Sequence, residues 1–155
     1  MTLPRRSFLK GILATGGAMA LGTSILPETV MAKEWPQNAF EAENVKDVLL
    51  KLFKTVTPKE SNQIIIDAPD IAENGAVVPI EVTTKLPKVE SITILGEKNP
   101  TPLVAHFNFA NNADAWIKTR IKLGETSNII AIVKADGRFY MAHRAVKVTI
   151  GGCGG

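Results

Sequence analysis

Residues 128–155 read NIIAIVKADGRFYMAHRAVKVTIGGCGG. Asp136-Gly137 falls between two β-branched runs, Asn128 to Ala135 and Arg138 to Ile150, and an Asp-Gly pair in that setting is a strong hairpin signal. Working upstream from this hairpin, the same kind of run recurs at Gln63 to Asp67, Ala76 to Thr84, Val89 to Leu95, Pro102 to Phe109 and Ala115 to Leu123. Asn74-Gly75 and Asn99-Pro100 supply turn signals between them. In Val89 to Leu95 the alternation of apolar and polar residues is only half clean, although the run is rich in β-branched residues. Seven candidate strands at roughly regular spacing predict a mainly β chain, an immunoglobulin-like antiparallel β-sandwich. The single cysteine, Cys153, means that no internal disulfide ties the sheets, and many such sandwiches have none.

One helix precedes the strands. Asn38 is placed to cap it, with Glu41 three residues on to close a capping box. Val45, Val48, Leu49, Leu52 and Phe53 follow at helical spacing, and Pro58 sets the limit of the helix. So short a helix depends on packing, and its apolar face is expected to lie on the chain's own sandwich.

The first thirty-two residues read as an address. Arg5-Arg6 and Phe8-Leu9-Lys10 open a mildly apolar stretch, Gly11 to Leu26, and Val30-Met31-Ala32 resembles a cleavage site. The paired arginines resemble a twin-arginine export signal. Gly11, Gly16, Gly17 and Gly22 dilute the apolar run, which argues against a membrane span of about 20 strongly apolar residues. The reading therefore divides the chain into a cleaved leader (1–32), a sandwich domain with its helix (33–150) and a terminal arm (151–155). It places the mature chain, without a membrane anchor, in the periplasm.

Composition narrows the functional classes. The chain has 155 residues, 45% hydrophobic, with a net charge of +3. Arg5, Arg6 and Lys10 against Glu28 place +2 of that in the leader, so the remainder carries only +1. A near-neutral domain has no basic footprint for nucleic acid. His106 and His143 fall on different strands and lack a third ligand, so no metal site is expected. Trp35 and Trp116 read as packing residues, and Asp67, Asp70 and Glu73 as a solvated loop. Gly75 and Gly137 are turn glycines without phosphate-loop spacing.

The chemistry gathers at the end. Gly151, Gly152, Gly154 and Gly155 surround the only cysteine. Glycines offer no side chain to bury and cost the most ordering entropy, so the tail is expected not to pack. Three residues beyond Ile150 give the Cys153 thiol roughly 10 Å of reach. A thiol without bulky neighbours suits entry into a narrow cleft of another protein. An active-site cysteine would instead need fixed neighbours to activate it.

The Gly-Gly-Cys-Gly-Gly terminus, the twin-arginine leader, the segment Ala68-Pro69-Asp70-Ile71-Ala72-Glu73-Asn74-Gly75-Ala76-Val77-Val78-Pro79 and Tyr140-Met141-Ala142 resemble the SoxY family. That family supplies the sulfur-carrier subunit of bacterial thiosulfate oxidation. The resemblance implies a heterodimer with a SoxZ-like partner and sulfur intermediates held covalently on Cys153, with no other cofactor. It implies transient visits to SoxXA-, SoxB- and sulfur dehydrogenase-like enzymes that load, hydrolyse and oxidise the adduct. The carrier would not itself be an enzyme. Three other readings follow from the residues: an immunoglobulin-like module whose Cys153 only crosslinks chains, a carrier using Gly154-Gly155 as a thiocarboxylate, and a stand-alone enzyme. The thiocarboxylate needs ATP-driven adenylation and leaves Cys153 unexplained, and no acid–base pair supports an enzyme.

Overall fold

The computed structural model describes residues 36–54, 57–110 and 113–150. Among the described residues two helices, α1 (Gln37–Phe40) and α2 (Val45–Phe53), precede nine strands. These are β1 (Lys59–Glu60), β2 (Ile64–Asp67), β3 (Ile71–Ala72), β4 (Val78–Thr84), β5 (Val89–Gly96), β6 (Leu103–Asn108), β7 (Trp116–Ile121), β8 (Ser127–Ala135) and β9 (Arg138–Val148). A six-stranded sheet runs β1-β9-β8-β5-β6, with β3 also on β9, and a three-stranded sheet runs β2-β4-β7. Together they form an immunoglobulin-like β-sandwich.

All seven expected strands are present. The long strands pair antiparallel, while β1 and β3, which the sequence reading omits, add to β9 in parallel. Two-residue strands carry too little pattern to stand out from a loop.

The β8–β9 turn forms where Asp136-Gly137 predicts it. Both residues have positive φ, 48° and 72°, as the twist of a tight hairpin requires. At the far end of the same sheet, Gly96 leaves room for Asn99, since a Cβ there would lie 2.7 Å from Asn99 Nδ2. Asn99 uses that position to donate to Lys122 O (2.8 Å) and accept from Gly124 N–H (2.9 Å).

The blurred alternation of the central strands has a structural cause. On β8, Ile129, Ala131, Val133 and Ala135 face the three-stranded sheet and meet Ile64, Ile66, Val78, Ile80 and Val82. Ile130 and Ile132 point the other way, into a second cluster with Leu95, Leu103, Ala39, Ala42 and Val48. The helices therefore cover the outer face of the large sheet, as the amphipathic pattern predicts, and strands buried on both faces lose the period of two.

The capping expectation needs correction. Asn38 lies inside the four-residue α1, whose N-cap Pro36 makes no side-chain bond. Gln37 Nε2 takes the Glu41 carboxylate instead (2.9 Å). The chain then breaks and restarts at Asn44, whose Oδ1 accepts from Asp47 N–H (2.9 Å) while its Nδ2 donates to Asp47 Oδ2 (2.8 Å). Lys54 closes α2 in the left-handed conformation, φ 55°, with its N–H on Leu50 O (3.0 Å).

Candidate functional site at the base of the terminal arm

Cys153 and its glycines Gly151, Gly152, Gly154 and Gly155 lie outside the described residues, as do Arg5, Arg6, Phe8, Leu9, Lys10 and Trp35. What the structure does place is the platform from which the arm departs. Val146 is fully buried and Val148 packs against the same core, which fixes the last turns of β9 in the sandwich. Ile150, the last described residue, is 67% exposed. The passage from core to solvent thus takes only a few residues.

That passage is bound along its free edge by residues 68–75. Lys147 N–H donates to Asp70 O (2.9 Å) and Thr149 N–H to Ala72 O (3.1 Å). Thr149 Oγ1 donates to Glu73 O (2.9 Å) and Gly75 N–H to Ile150 O (2.8 Å). Gly75 O in turn accepts from Leu123 N–H (2.7 Å), so one residue links the segments just beyond β9 and β7. On the opposite edge Val148 N–H donates to Thr126 Oγ1 (3.0 Å). Below the strap, Arg144 Nη2 reaches Asp70 Oδ1 (2.9 Å) and Ala68 O (3.2 Å). Asn74 Oδ1 accepts from Ala76 N–H (2.8 Å) and shapes the turn that follows.

The expected solvated loop around Asp70 and Glu73 is therefore a strap, although its carboxylates do face solvent. Its backbone carbonyls carry the contacts, and carbonyls have no sequence signature. Parallel pairing with a strand some seventy-six positions away leaves no local trace either. Ile71 within the strap (56% exposed) and Val77 just after it (53%) leave apolar side chains in solvent.

The other candidates do not converge on one site. His106, on β6, pairs through Nδ1 with the buried Thr93 hydroxyl (2.8 Å) beneath the Phe53 ring. His143, on β9, lies 3.8 Å from Glu60 Oε1. Strands β8 and β5 separate the two histidines. Among the described residues no three His, Cys, Asp or Glu side chains gather as metal ligands, and no helix is long and apolar enough to cross a membrane.

Trp116 departs from its expected packing role. It is 51% exposed on the outer face of the small sheet, with Nε1 donating to Glu81 Oε1 (2.7 Å). That bond, reinforced by Lys118, holds the Glu81 carboxyl below its ordinary range. A groove of about 710 Å³ runs over the same face past Asp67, Pro79, Glu81, Lys118 and Arg120. Its best-placed carboxylate is thus an anion at neutral pH, poorly suited to donate a proton.

Comparison with known families matches residues 49–153 to SoxY, described as sulfur oxidation protein SoxY. The chain belongs to the SoxY family. The match ends on the cysteine itself and takes in the strap and β9. Among solved structures, the sulfur carrier protein SoxY from Chlorobium limicola f thiosulfatophilum is 36% identical, with a TM-score of 0.64 over 74% of this chain and all of that one. A superoxide reductase (neelaredoxin) from Ignicoccus hospitalis is 17% identical, with a TM-score of 0.49 over 56% of this chain and 80% of that one. Comparison with curated proteins gives no match.

Proposed function

We propose that this chain is a periplasmic sulfur carrier in thiosulfate oxidation, exported by the twin-arginine route, which holds its cargo covalently on Cys153. The observation that carries the reading is the SoxY family match running through residue 153 onto a cysteine flanked by four glycines.

The chemistry asks little of the carrier beyond a thiol and an approach. In the loading step the thiol and thiosulfate join through a new S–S bond, releasing one proton and two electrons to a SoxXA-like haem partner. In the next step water cleaves the terminal sulfonate as sulfate and a proton, leaving a persulfide, one of the reversible caps that cysteine accepts. A SoxB-like hydrolase performs that cleavage, and a sulfur dehydrogenase-like enzyme oxidises the remaining sulfur. A SoxZ-like subunit completes the heterodimer. Because the same sulfur visits several pockets, a thiol on a glycine tether serves better than one fixed in a cleft.

Activation of the thiol falls to the partners. An unperturbed thiol has a pKa of about 8.5 and is mostly protonated at neutral pH. The nearest cation in sequence, Lys147, lies six positions back on a strand. Alkylation rate against pH on the isolated protein checks this, and an apparent pKa well below 7 would contradict it.

The decisive experiment is intact mass of the mature chain recovered after thiosulfate turnover. Adducts that a reducing agent removes, and that Cys153→Ser lacks, are expected. If Cys153→Ser loses only a disulfide-linked dimer while thiosulfate oxidation continues, the residue is a crosslinker and the carrier reading fails.

A further inference from the structure

The strap does more than finish a sheet edge. It bonds the end of β9 at Lys147 and the two residues that follow the strand's end, Thr149 and Ile150, and its last bond lands on the final residue before the glycines. Two of those positions lie beyond Val146, the last fully buried residue of β9, by three residues or more. Core burial alone therefore does not hold them. The hydrogen bonds from residues 70–75 do, and Arg144 fastens that strap from below through Asp70 and Ala68.

We propose that Asp70–Gly75 is a length-setting clamp, with Arg144 its positioning residue: it holds the backbone through Ile150 and so leaves only Gly151 and Gly152 between the last held residue and the thiol. The proposal rests on the carrier reading. With the clamp closed, three residues span roughly 10 Å. With the strap released, the strand is still held to Val148, which packs on the core and bonds Thr126 Oγ1, and five residues span about 17 Å. The local concentration that a tethered group presents falls roughly as the −3/2 power of tether length, so release dilutes the thiol about twofold at a docked partner's pocket. A short arm delivers the thiol to a pocket mouth that the domain itself abuts, and a long one wastes most of its conformations.

The test uses the full mature chain with a nitroxide on Cys153, its only cysteine, and backbone NMR. Arg144→Ala is expected to speed amide exchange at Gly75, Lys147 and Thr149 about two- to fivefold, the scale of a solvent-screened ion pair, while the Ile132 amide is unchanged. Paramagnetic broadening from the label should spread to more distant amides. Inserting two glycines between Ile150 and Gly151 should reproduce that wider broadening with the clamp amides still protected. This second chain keeps the test decisive if Arg144→Ala folds poorly. Unchanged exchange and broadening in a folded Arg144→Ala, or an insertion that does not widen the map, overturns the clamp. Failure of Cys153 to take up sulfur in the parent chain would sink the carrier reading instead and leave both NMR maps as they are.

Discussion

The two sheets differ in how many faces they hide. The large sheet is covered twice, by the small sheet on one side and by the helices on the other, so Ile132 and Val133 are neighbours in sequence buried in different clusters. The small sheet is covered once. On β2, Ile64 and Ile66 are buried while Ile65 is 49% exposed. The arm departs from the sheet that is covered twice, through β9. The chain that leads to Cys153 thus leaves from the most heavily packed part of the molecule, while the small sheet leaves its outer face to solvent.

The largest test of this contrast sets Ile132→Ala against Ile65→Ala. Ile132 is 1% exposed beneath the helices, and truncation there should cost about 2–5 kcal/mol. The same change at Ile65 should move stability by no more than about 0.5 kcal/mol, as for a surface site. Urea midpoints measure both, and equal losses would mean that the two sheets are not packed as described. A smaller test concerns the cover itself. Asn44→Ala removes the side-chain cap of α2 and should cost about 1 kcal/mol. If α2 were carried by its own propensity and not by packing on Leu95, Ile130 and Ile132, helical signal would fall without any shift of the urea midpoint.

Legibility followed the same division. The strands of the small sheet show alternation because one face meets water, and the Asp136-Gly137 hairpin shows because a positive φ restricts the residue choice. The strands of the large sheet show only through their β-branched content and turns, since double burial erases the period. The sequence pattern places the helix start six residues early. Asn38 and Glu41 satisfy the spacing of a capping box, but Asn44 and Asp47 satisfy an equivalent one, and only the second pair stands directly before the amphipathic run. At the candidate site, residue types point to Cys153 directly. The strap was invisible in that sense, because Lys147, Thr149 and Ile150 are held through the carbonyls and N–H groups of Asp70, Ala72 and Gly75, and only the Thr149 hydroxyl and the Asp70–Arg144 pair involve side chains.

Each sheet also carries one carboxylate held below its ordinary range, and here the contrast is narrower. Glu81 owes its shift to Trp116 and Lys118 on the bare face, where solvent screens the pair. Glu90 owes its shift first to the Lys134 ammonium and then to Gly137 N–H, which donates at 2.7 Å, so it ties β5 to the turn of the β8–β9 hairpin. A carboxyl whose folded pKa lies below its unfolded one stabilises the fold above the unfolded value, near 4.5, and loses that contribution as pH falls through the folded value. Glu90→Gln should therefore be slightly less stable than the parent at pH 7, with the gap closing below pH 4.5 as the parent's carboxyl takes up its proton. The Glu90 side chain is 42% exposed, so the gap is the smallest effect in the series. Urea midpoints of both chains between pH 7 and pH 3 read it directly. A gap that persists undiminished at the acid end would mean that Glu90 holds the hairpin by shape and hydrogen bonding alone, with its charge contributing nothing.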